Sequence, residues 1–302
     1  MAGAPARRRH GAHVVSGPDP ARRGTGIEPH LVLAWPAIAL TVLFVTPLAV
    51  IATVSFFRRL PAGFFEPAFV LRNYARALDG FHLERLAVSV GLALLATAIC
   101  LLVGVPFTYL LSRRPRPRQV PYLVLVLASL SLSEVIVAFS WSLLLSRTSG
   151  ISNLFVWLGL MQEPASWSPG LPAVILAFVF VALPLTVLSL YPPMSRLEDA
   201  LPEAAATMGA SPWVGFRTVV LPLMRGAIAA TGALVFIFVL GAYVIPQSLG
   251  RPPQWTLPVH ITDQAVMKSH LPLAAALAIV LLAASALVSL LIVALGQGRR
   301  TP

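Results

Sequence analysis

The sequence predicts an all-α integral membrane protein with six transmembrane helices. Of its 302 residues, 57% are hydrophobic and only 11% are charged, whereas soluble domains carry about 25% charged residues. The apolar residues lie in six blocks of 20 or more residues rather than at amphipathic spacing. At about 1.5 Å per residue, such a block crosses a hydrocarbon core of about 30 Å. This composition excludes an ordinary soluble enzyme.

The six apolar blocks define the domain organisation. We predict spans at residues 31–57, 86–112, 120–146, 171–194, 226–249 and 271–296, within one membrane domain of residues 30–297. Residues 1–29 are rich in Arg, Pro, Gly and Ala without apolar periodicity, so we expect a disordered tail there. Residues 298–302 form a short C-terminal tail. The first block has 27 residues against 7–15 in a signal peptide, which favours an uncleaved span.

The arginines predict the orientation of the spans. An even number of spans places both termini on one side, and the tails with the second and fourth connections hold 14 of the 22 Lys and Arg residues. The short connection of residues 113–119 has four arginines and no acidic residue, and such loops weigh most in the positive-inside rule. Both termini are therefore predicted to be cytoplasmic. The net charge of +11 is explained by helix orientation and not by nucleic-acid binding.

The longest predicted cytoplasmic connection, residues 195–225 between spans four and five, is predicted to contain two short helices. The first begins either at Ser195, which has capping-box spacing with Glu198, or at Pro202 in a first helical turn. The sequence leaves these two starts open. Gly209 then allows a turn that other residues make at a higher cost.

The second helix of this connection is predicted to start at Ser211 and Pro212, which suit a cap and a first helical position. Pro222 is predicted to close the segment. Phe216 and Val220 follow Trp213 by three and seven residues, which places all three on one apolar face of this helix. This face can pack back on the membrane domain.

The same connection resembles the EAA loop of the membrane subunits of binding-protein-dependent ABC importers. It reads Glu203-Ala204-Ala205, three residues, Gly209, nine residues, Val219, one residue, then Leu221-Pro222. Val219 stands where the family usually has isoleucine. Six fixed positions recur by chance at about 10⁻⁶ per start, and this match also lies in the expected cytoplasmic loop.

The resemblance extends over most of the chain beyond the N-terminal tail and is closest to the spermidine/putrescine-type permeases. One departure is the run Ser-Leu-Ser-Leu-Ser at residues 129–133, where such a permease has a proline. Family positions recur in the expected order and spacing at Asn73-Tyr74, Ser89, Pro106, Trp141, Gly150-Ile151-Ser152-Asn153, Leu158-Gly159-Leu160, Gly241, Pro246 and Leu249-Gly250.

The resemblance implies a type I ABC importer permease of a bacterial inner membrane, forming one half of a two-permease unit. A pair of cytoplasmic ATP-binding subunits would receive Glu203, Ala204 and Ala205 in a surface groove. Gly209 would form the bend, Leu221 and Pro222 would complete the motif, and Trp213, Phe216 and Pro222 would anchor it to the membrane domain. An extracytoplasmic solute-binding protein, a second permease of identical or different sequence, and membrane lipid are the other implied partners. The family carries polyamines and, in related branches, other small solutes including anions and iron.

Glu134 is the only acidic residue well inside a predicted span, where an ionised carboxylate costs about 2.5–3.5 kcal/mol at the bilayer centre. We expect it to face the interior of the helix bundle. One interpretation makes it a pathway residue that receives a cation such as a polyamine. The other makes it a carboxyl group that bonds to nearby serines at positions 131, 133 and 140 or lies near the membrane interface.

The remaining polar residues exclude several function classes. The six histidines show no metal-ligand spacing, and the single cysteine, Cys100, cannot form an intrachain disulfide. No nucleophile elbow, His-Glu-x-x-His motif or phosphate-binding Gly-rich loop is present, so we expect no catalytic, cofactor or metal site. Energy must then come from a separate subunit. The alternative, an ion-gradient-driven secondary carrier, needs ionisable residues at the membrane midplane, and only Glu134 qualifies.

Overall fold

A computed structural model describes residues 29–60, 65–148, 150–198 and 207–297, together with Ala200 and Glu203. Both predicted tails lie outside these residues except for Pro29, so the disorder expected for the N-terminal tail stays a prediction. The chain divides into two compact units after Ala49. The packing described below belongs to the second unit.

The described chain is almost entirely helical. A two-stranded antiparallel ribbon joins β1 (Arg58–Arg59) to β2 (Phe65–Glu66). π-Helical turns occur at Phe216–Val220 and Asp263–Met267, and a 3₁₀ turn at Pro252–Gln254. The α-helices are α1 (Pro29–Val54), α2 (Arg72–Ala77), α3 (Gly80–Ser112), α4 (Arg116–Leu130), α5 (Glu134–Leu144), α6 (Ile151–Trp157), α7 (Leu171–Ser195), α8 (Pro212–Gly215), α9 (Leu221–Gly241), α10 (Val244–Leu249), α11 (Leu257–Thr262) and α12 (Leu271–Gln297).

Five helices of the described chain are long and apolar enough to cross a membrane. They are residues 35–54 of α1, then α3, α7, the helix from Pro212 to Gly241, and residues 271–296 of α12. The fifth predicted span was drawn to residue 249, but α9 ends at Gly241 because Ala242 has an extended backbone (φ −71°, ψ 134°). The short helix α10 follows this break.

The predicted third span, residues 120–146, is broken into α4 and α5, which are bent by 96° relative to each other. The break falls in the serine-rich run. The hydroxyl group of Ser131 donates to the Leu127 carbonyl at 3.1 Å, and Ser133 has the extended conformation of a helix cap (φ −65°, ψ 136°). Serine side chains compete with the helical backbone for hydrogen bonds, which explains a helix boundary inside an apolar stretch.

Small side chains pack the centre of the second unit. Helices α3 and α7 meet along fully buried small residues, including Ala93, Ala96 and Cys100 on α3 and Ala173, Ala177 and Ala182 on α7. At Gly104 the approach is so close that a Cβ atom would lie 2.8 Å from Cγ2 of Thr186. Small residues let helix backbones approach closely in membranes, where dispersion contacts drive association. Helix α9 completes this core through Phe236, which is fully buried.

Candidate functional site

The start of the 195–225 connection differs from one of the two predicted possibilities. Ser195 is the last residue of α7, and its hydroxyl group donates to the Pro192 carbonyl at 3.0 Å. The interpretation of Ser195 as the cap of the next helix is therefore wrong. The other start, Pro202, lies outside the described residues, as do Ala204 and Ala205 of the EAA motif. Glu203 has a helical backbone and an exposed side chain.

Gly209 makes the predicted turn. Its φ of +85° lies in the left-handed region, which residues with a Cβ atom adopt at a cost of about 1–2 kcal/mol. A Cβ atom at this position would meet no other atom within 4 Å. The backbone conformation, and not the available space, therefore requires glycine here.

The second helix begins as predicted. Ser211 has an extended backbone (φ −67°, ψ 157°), and its Oγ accepts a hydrogen bond from the Val214 backbone N–H at 3.4 Å. Pro212 occupies the first turn, where its missing N–H costs nothing. The sequence pattern of serine followed by proline thus marks this helix start correctly.

Pro222 does not close the segment. The helix continues from Pro212 to Gly241, so the second short helix and the fifth span form one rod. Proline has no N–H for the carbonyl four residues earlier and normally clashes with it. Here the turn before Pro222 is π-helical, and the Leu221 N–H donates to the Phe216 carbonyl five residues earlier. The wider turn accommodates the proline without ending the helix.

The predicted apolar face of this helix is divided. Phe216 is 6% exposed and Val220 is fully buried, and both pack in an inner cluster with Val105, Leu190, Met194 and Met224. Trp213 is 64% exposed and contacts this cluster by stacking on Phe216, with ring centroids 5.5 Å apart. A π-helical turn holds more residues than an α-helical turn, so it rotates Trp213 away from the face of Val220. The anchoring role of Trp213 stays a prediction.

Two residues at the C-terminal end of α3 contact this segment, and sequence reasoning missed their role. The Tyr109 ring lies 5.1 Å from the Phe216 ring between centroids. Arg113, one helical turn later, places its guanidinium 5.3 Å from the centre of the Tyr109 ring and donates to the Leu197 carbonyl at 3.3 Å. Arg113 entered the prediction only as one of the orienting arginines. The tyrosine–arginine spacing of four residues was the available signal.

The arginine-rich connection after α3 folds against the end of α7. Nε2 of the buried Gln119 donates to the Arg114 carbonyl at 2.5 Å and to the Ser112 carbonyl at 3.3 Å. The hydroxyl group of Tyr191 on α7 donates to Oε1 of Gln119. The second and fourth connections of the prediction therefore lie at the same end of the helix bundle.

Glu134 is the first residue of α5, directly after the 96° bend. Its side chain is half-buried, and among the described residues no hydrogen bond joins it to the serines at positions 131, 133 and 140. A carboxylate in the first turn of a helix is favoured by the helix dipole. A cavity of about 200 Å³ lies beside α5, and its lining includes Val137, Trp141 and Phe180 but not Glu134.

The N-terminal end of α3 is held by hydrogen bonds to distant backbone. Oγ of Ser89 donates to the Arg85 carbonyl and accepts from the Leu257 N–H, both at 2.7 Å. Arg85, 8% exposed, donates through Nη1 to the Pro253 carbonyl at 2.6 Å and through Nη2 to Glu84 at 2.6 Å. Ser89, which carries part of the family resemblance, thus ties α3 to α11.

Other residues that match the family pattern also hold loops in place at this end of the bundle. Nδ2 of the buried Asn73 donates to the carbonyl groups of Ser55 and Phe57, at 2.8 Å and 2.9 Å. A Cβ atom on Gly150 would lie 2.3 Å from the Leu144 carbonyl oxygen, and one on Gly250 would lie 2.5 Å from the Pro246 carbonyl oxygen. These residue types are therefore fixed by backbone geometry.

Comparisons with known proteins agree with this architecture. The family model for the binding-protein-dependent transport system inner membrane component matches residues 104–301. The spermidine/putrescine transport system permease protein PotB of Salmonella typhimurium strain SL1344 is 32% identical over 208 residues, which cover 69% of this chain and 72% of that protein. Its Escherichia coli K12 counterpart is 31% identical over 208 residues, covering 69% and 75%.

Other similar proteins carry other names. The molybdenum transport system permease protein ModB of Mycobacterium bovis is 32% identical over 228 residues, covering 72% of this chain and 79% of that protein. Among solved structures, a bacterial ABC transporter involved in alginate import superposes with a TM-score of 0.70 over 91% of this chain and 98% of that chain. At 17% identity, this likeness shows the fold alone.

These findings confirm the predicted fold and function class. The chain is an all-α, multi-pass inner-membrane protein of the type I permease fold. Its relatives are transport components and not enzymes, and they give no support to the ion-gradient-driven carrier. A solute-binding protein and an ATPase are the partners that such a permease requires. The chain therefore belongs to the binding-protein-dependent transport system inner membrane components and is the permease subunit of an ATP-driven ABC importer.

Proposed function

We propose that residues 195–225, hereafter the coupling segment, form the contact through which this permease receives movement from two cytoplasmic ATP-binding subunits. Glu203, Ala204 and Ala205 dock in a groove of one ATP-binding subunit, and Leu221 and Pro222 complete the docking motif. The exposed side chain of Glu203 is available for a basic partner residue. Gly209 sets the angle between this docking helix and α8.

One observation carries the proposal: the coupling segment runs without a helix end into α9. The helix from Pro212 to Gly241 contains 30 residues and passes through the buried positions Phe216 and Val220. A displacement of α8 therefore moves a span that belongs to the central core. ATP binding closes the ATPase pair, tilts the spans and opens the pathway outward, and hydrolysis resets it.

The proposed orientation places both termini and the coupling segment in the cytoplasm. The arginine-rich connection of residues 113–119 supports it, because this connection lies beside the coupling segment through the Arg113 bond to the Leu197 carbonyl. The opposite ends of α3 and α7 then face outward. A solute-binding protein docks there, a second permease completes the pathway, and lipid covers the remaining apolar surface.

We propose a polyamine as the substrate. The relatives named for spermidine and putrescine support this, as does Glu134 at the start of a half-helix next to the bend. Because the carboxylate would attract a cation, Glu134→Gln is expected to lower spermidine uptake in reconstituted vesicles with protein level unchanged. Unchanged spermidine uptake would show that Glu134 is not a pathway residue. Uptake of molybdate but not spermidine would instead favour an anionic solute, as the name of the mycobacterial relative suggests.

The coupling role is tested by purifying the tagged permease with its native partner subunits in mild detergent. We expect an ATPase to copurify in stoichiometric amount, and we expect Glu203→Lys to release it. Glu163→Lys is the matched control, because the Glu163 side chain is 83% exposed and its substitution makes the same charge change at the opposite end of the helix bundle. A permease that purifies alone, or a Glu203→Lys variant that keeps its ATPase, would contradict the docking proposal.

A further inference from the structure

A continuous series of side-chain contacts joins the exposed surface of the coupling segment to α3. Trp213 stacks on Phe216 with centroids 5.5 Å apart and an interplanar angle of 29°. Phe216 meets Tyr109 at 5.1 Å and 43°. Arg113 contacts the same tyrosine, with its guanidinium carbon 5.3 Å from the Tyr109 ring centre. We call these four residues the aromatic relay.

The aromatic relay connects the end of α3 to both the start and the second helix of the coupling segment. Trp213 and Phe216 belong to the coupling segment, Tyr109 belongs to the last turn of α3, and Arg113 directly follows α3. The guanidinium of Arg113 then donates to the Leu197 carbonyl at 3.3 Å, in the chain that leaves α7. The relay therefore begins at a side chain that is 64% exposed, passes one that is 6% exposed, and ends at the C-terminal end of α3 and at Leu197.

The chemistry of the relay differs from that of the inner cluster around it. The cluster is otherwise made of Val105, Leu190, Met194, Val220 and Met224, which are flexible or aliphatic and fill space without a preferred direction. Aromatic rings keep their shape and prefer offset or tilted contacts, so a moving ring pushes its neighbour along a defined direction. A planar guanidinium stacks on a ring while it donates in its own plane, which a lysine cannot do.

We propose that Tyr109 and Arg113 are positioning residues that carry a displacement of α8 directly into the C-terminal end of α3. This inference rests on the proposed function, since it assumes that ATPase subunits move the coupling segment. Through the relay, α3 and the chain after α7 move together with α9. The rod from Pro212 to Gly241 is then one of two mechanical connections to the core.

A second tyrosine–arginine pair at the same end provides a matched control. Arg114 lies 5.8 Å from the ring centre of Tyr122, and Tyr122 meets Phe107 at 6.5 Å. This group resembles the relay in composition, but it contains no residue of the coupling segment. A substitution at Tyr122 therefore removes an aromatic ring and a cation–π contact without interrupting the relay.

The test measures substrate transported per ATP hydrolysed in vesicles that contain the full importer. Tyr109→Leu is expected to lower this ratio about tenfold, within the range usual for coupling between two sites. Tyr109→Phe, which keeps the ring, and the control Tyr122→Leu are expected to retain it. Arg113→Lys keeps the charge that orients the helix and is expected to lower the ratio about threefold.

The outcomes separate this inference from the proposed function. A Tyr109→Leu importer that binds its ATPase and transports at the wild-type ratio would overturn the relay and leave the docking proposal intact. An equal loss in Tyr122→Leu would overturn it as well. If Tyr109→Leu does not accumulate in the membrane, Arg113→Lys decides, and a wild-type ratio in that variant contradicts the relay. A wild-type permease that binds no ATPase would contradict the proposed function itself.

Discussion

The two ends of α3 are held by different kinds of interaction. At the N-terminal end, the outer end in the proposed orientation, hydrogen bonds with fixed geometry join Ser89 to the Leu257 N–H and Arg85 to the Pro253 carbonyl. At the C-terminal end, the inner end in that orientation, Tyr109 and Val105 contact the coupling segment mainly through rings and aliphatic groups, with one hydrogen bond from Arg113 to the Leu197 carbonyl. Hydrogen bonds weaken steeply when their angle changes, whereas aromatic rings keep preferred contact geometries and pass a displacement to the ring they touch.

This difference indicates that the two ends of α3 have different roles. The hydrogen-bonded outer end keeps its position relative to α11 and serves as a pivot. The inner end follows the coupling segment, because the Tyr109–Phe216 contact and the hydrogen bond from Arg113 to the Leu197 carbonyl join the two. Substitutions at the inner end should therefore change coupling, and substitutions at the outer end should change stability.

The largest effect is expected at Gly209. Gly209→Val should reduce transport to background while the protein still inserts in the membrane, because a β-branched residue resists the φ of +85° that orients the docking helix. Substrate uptake into vesicles and the amount of membrane-inserted permease are the two measurements. Gly209→Asn is the matched control, since asparagine tolerates the left-handed region and should retain much of the transport. Equal activity of both variants would show that the turn does not set the coupling geometry.

A smaller effect is expected at the outer end. Ser89→Ala leaves the buried Leu257 N–H without its acceptor, which costs about 1–3 kcal/mol and should lower the Tm of the detergent-solubilised protein. The transport ratio per ATP should stay at the wild-type value. Ser129→Ala serves as the control, because the Ser129 hydroxyl donates only to a carbonyl of its own helix and is exposed. A lower ratio with an unchanged Tm would contradict the division between the two ends.

The smallest effect is expected from pH at the outer end. Burial, and then the nearby Arg85, hold the pKa of His260 below its ordinary value of 6.5, and other groups that act on this imidazole are His82, Asp263 and Lys268. The imidazole of His260 binds a proton more readily in the unfolded chain than in the folded protein. Its contribution to the free energy of unfolding is therefore fully present above pH 6.5 and is lost as the pH drops through the lowered pKa. The Tm should therefore decrease between pH 7 and pH 5, and His260→Asn should show a smaller decrease. If the Tm of both proteins decreases equally, groups other than His260 cause the pH dependence.

Five of the six predicted spans overlap helices that are long and apolar enough to cross a membrane, because hydropathy over 20 residues is a local signal. Gly209, Ser211 and Pro212 were predicted correctly for the same reason, since turn and cap preferences act within a few residues. The bend at residues 131–133 was missed because leucine and serine alternate there, and the average hydropathy stays high.

The errors in the candidate site have a non-local cause. Proline ends most helices, but the π-helical turn before Pro222 allows this helix to continue. The same turn separates Trp213 from Val220. Tyr109 meets Phe216 across 107 positions of the chain, and no spacing rule connects residues so far apart. Only the packing of α3 against the coupling segment brings them together.

The most direct test of this account compares Tyr109→Leu with Ser89→Ala in the same vesicles, with Tm and transport per ATP measured for both. We expect opposite results: Tyr109→Leu loses about tenfold in transport per ATP with little change in Tm, and Ser89→Ala has a lower Tm with an unchanged ratio. If both variants lose the two properties in parallel, the ends of α3 do not have separate roles, and the central claim is wrong.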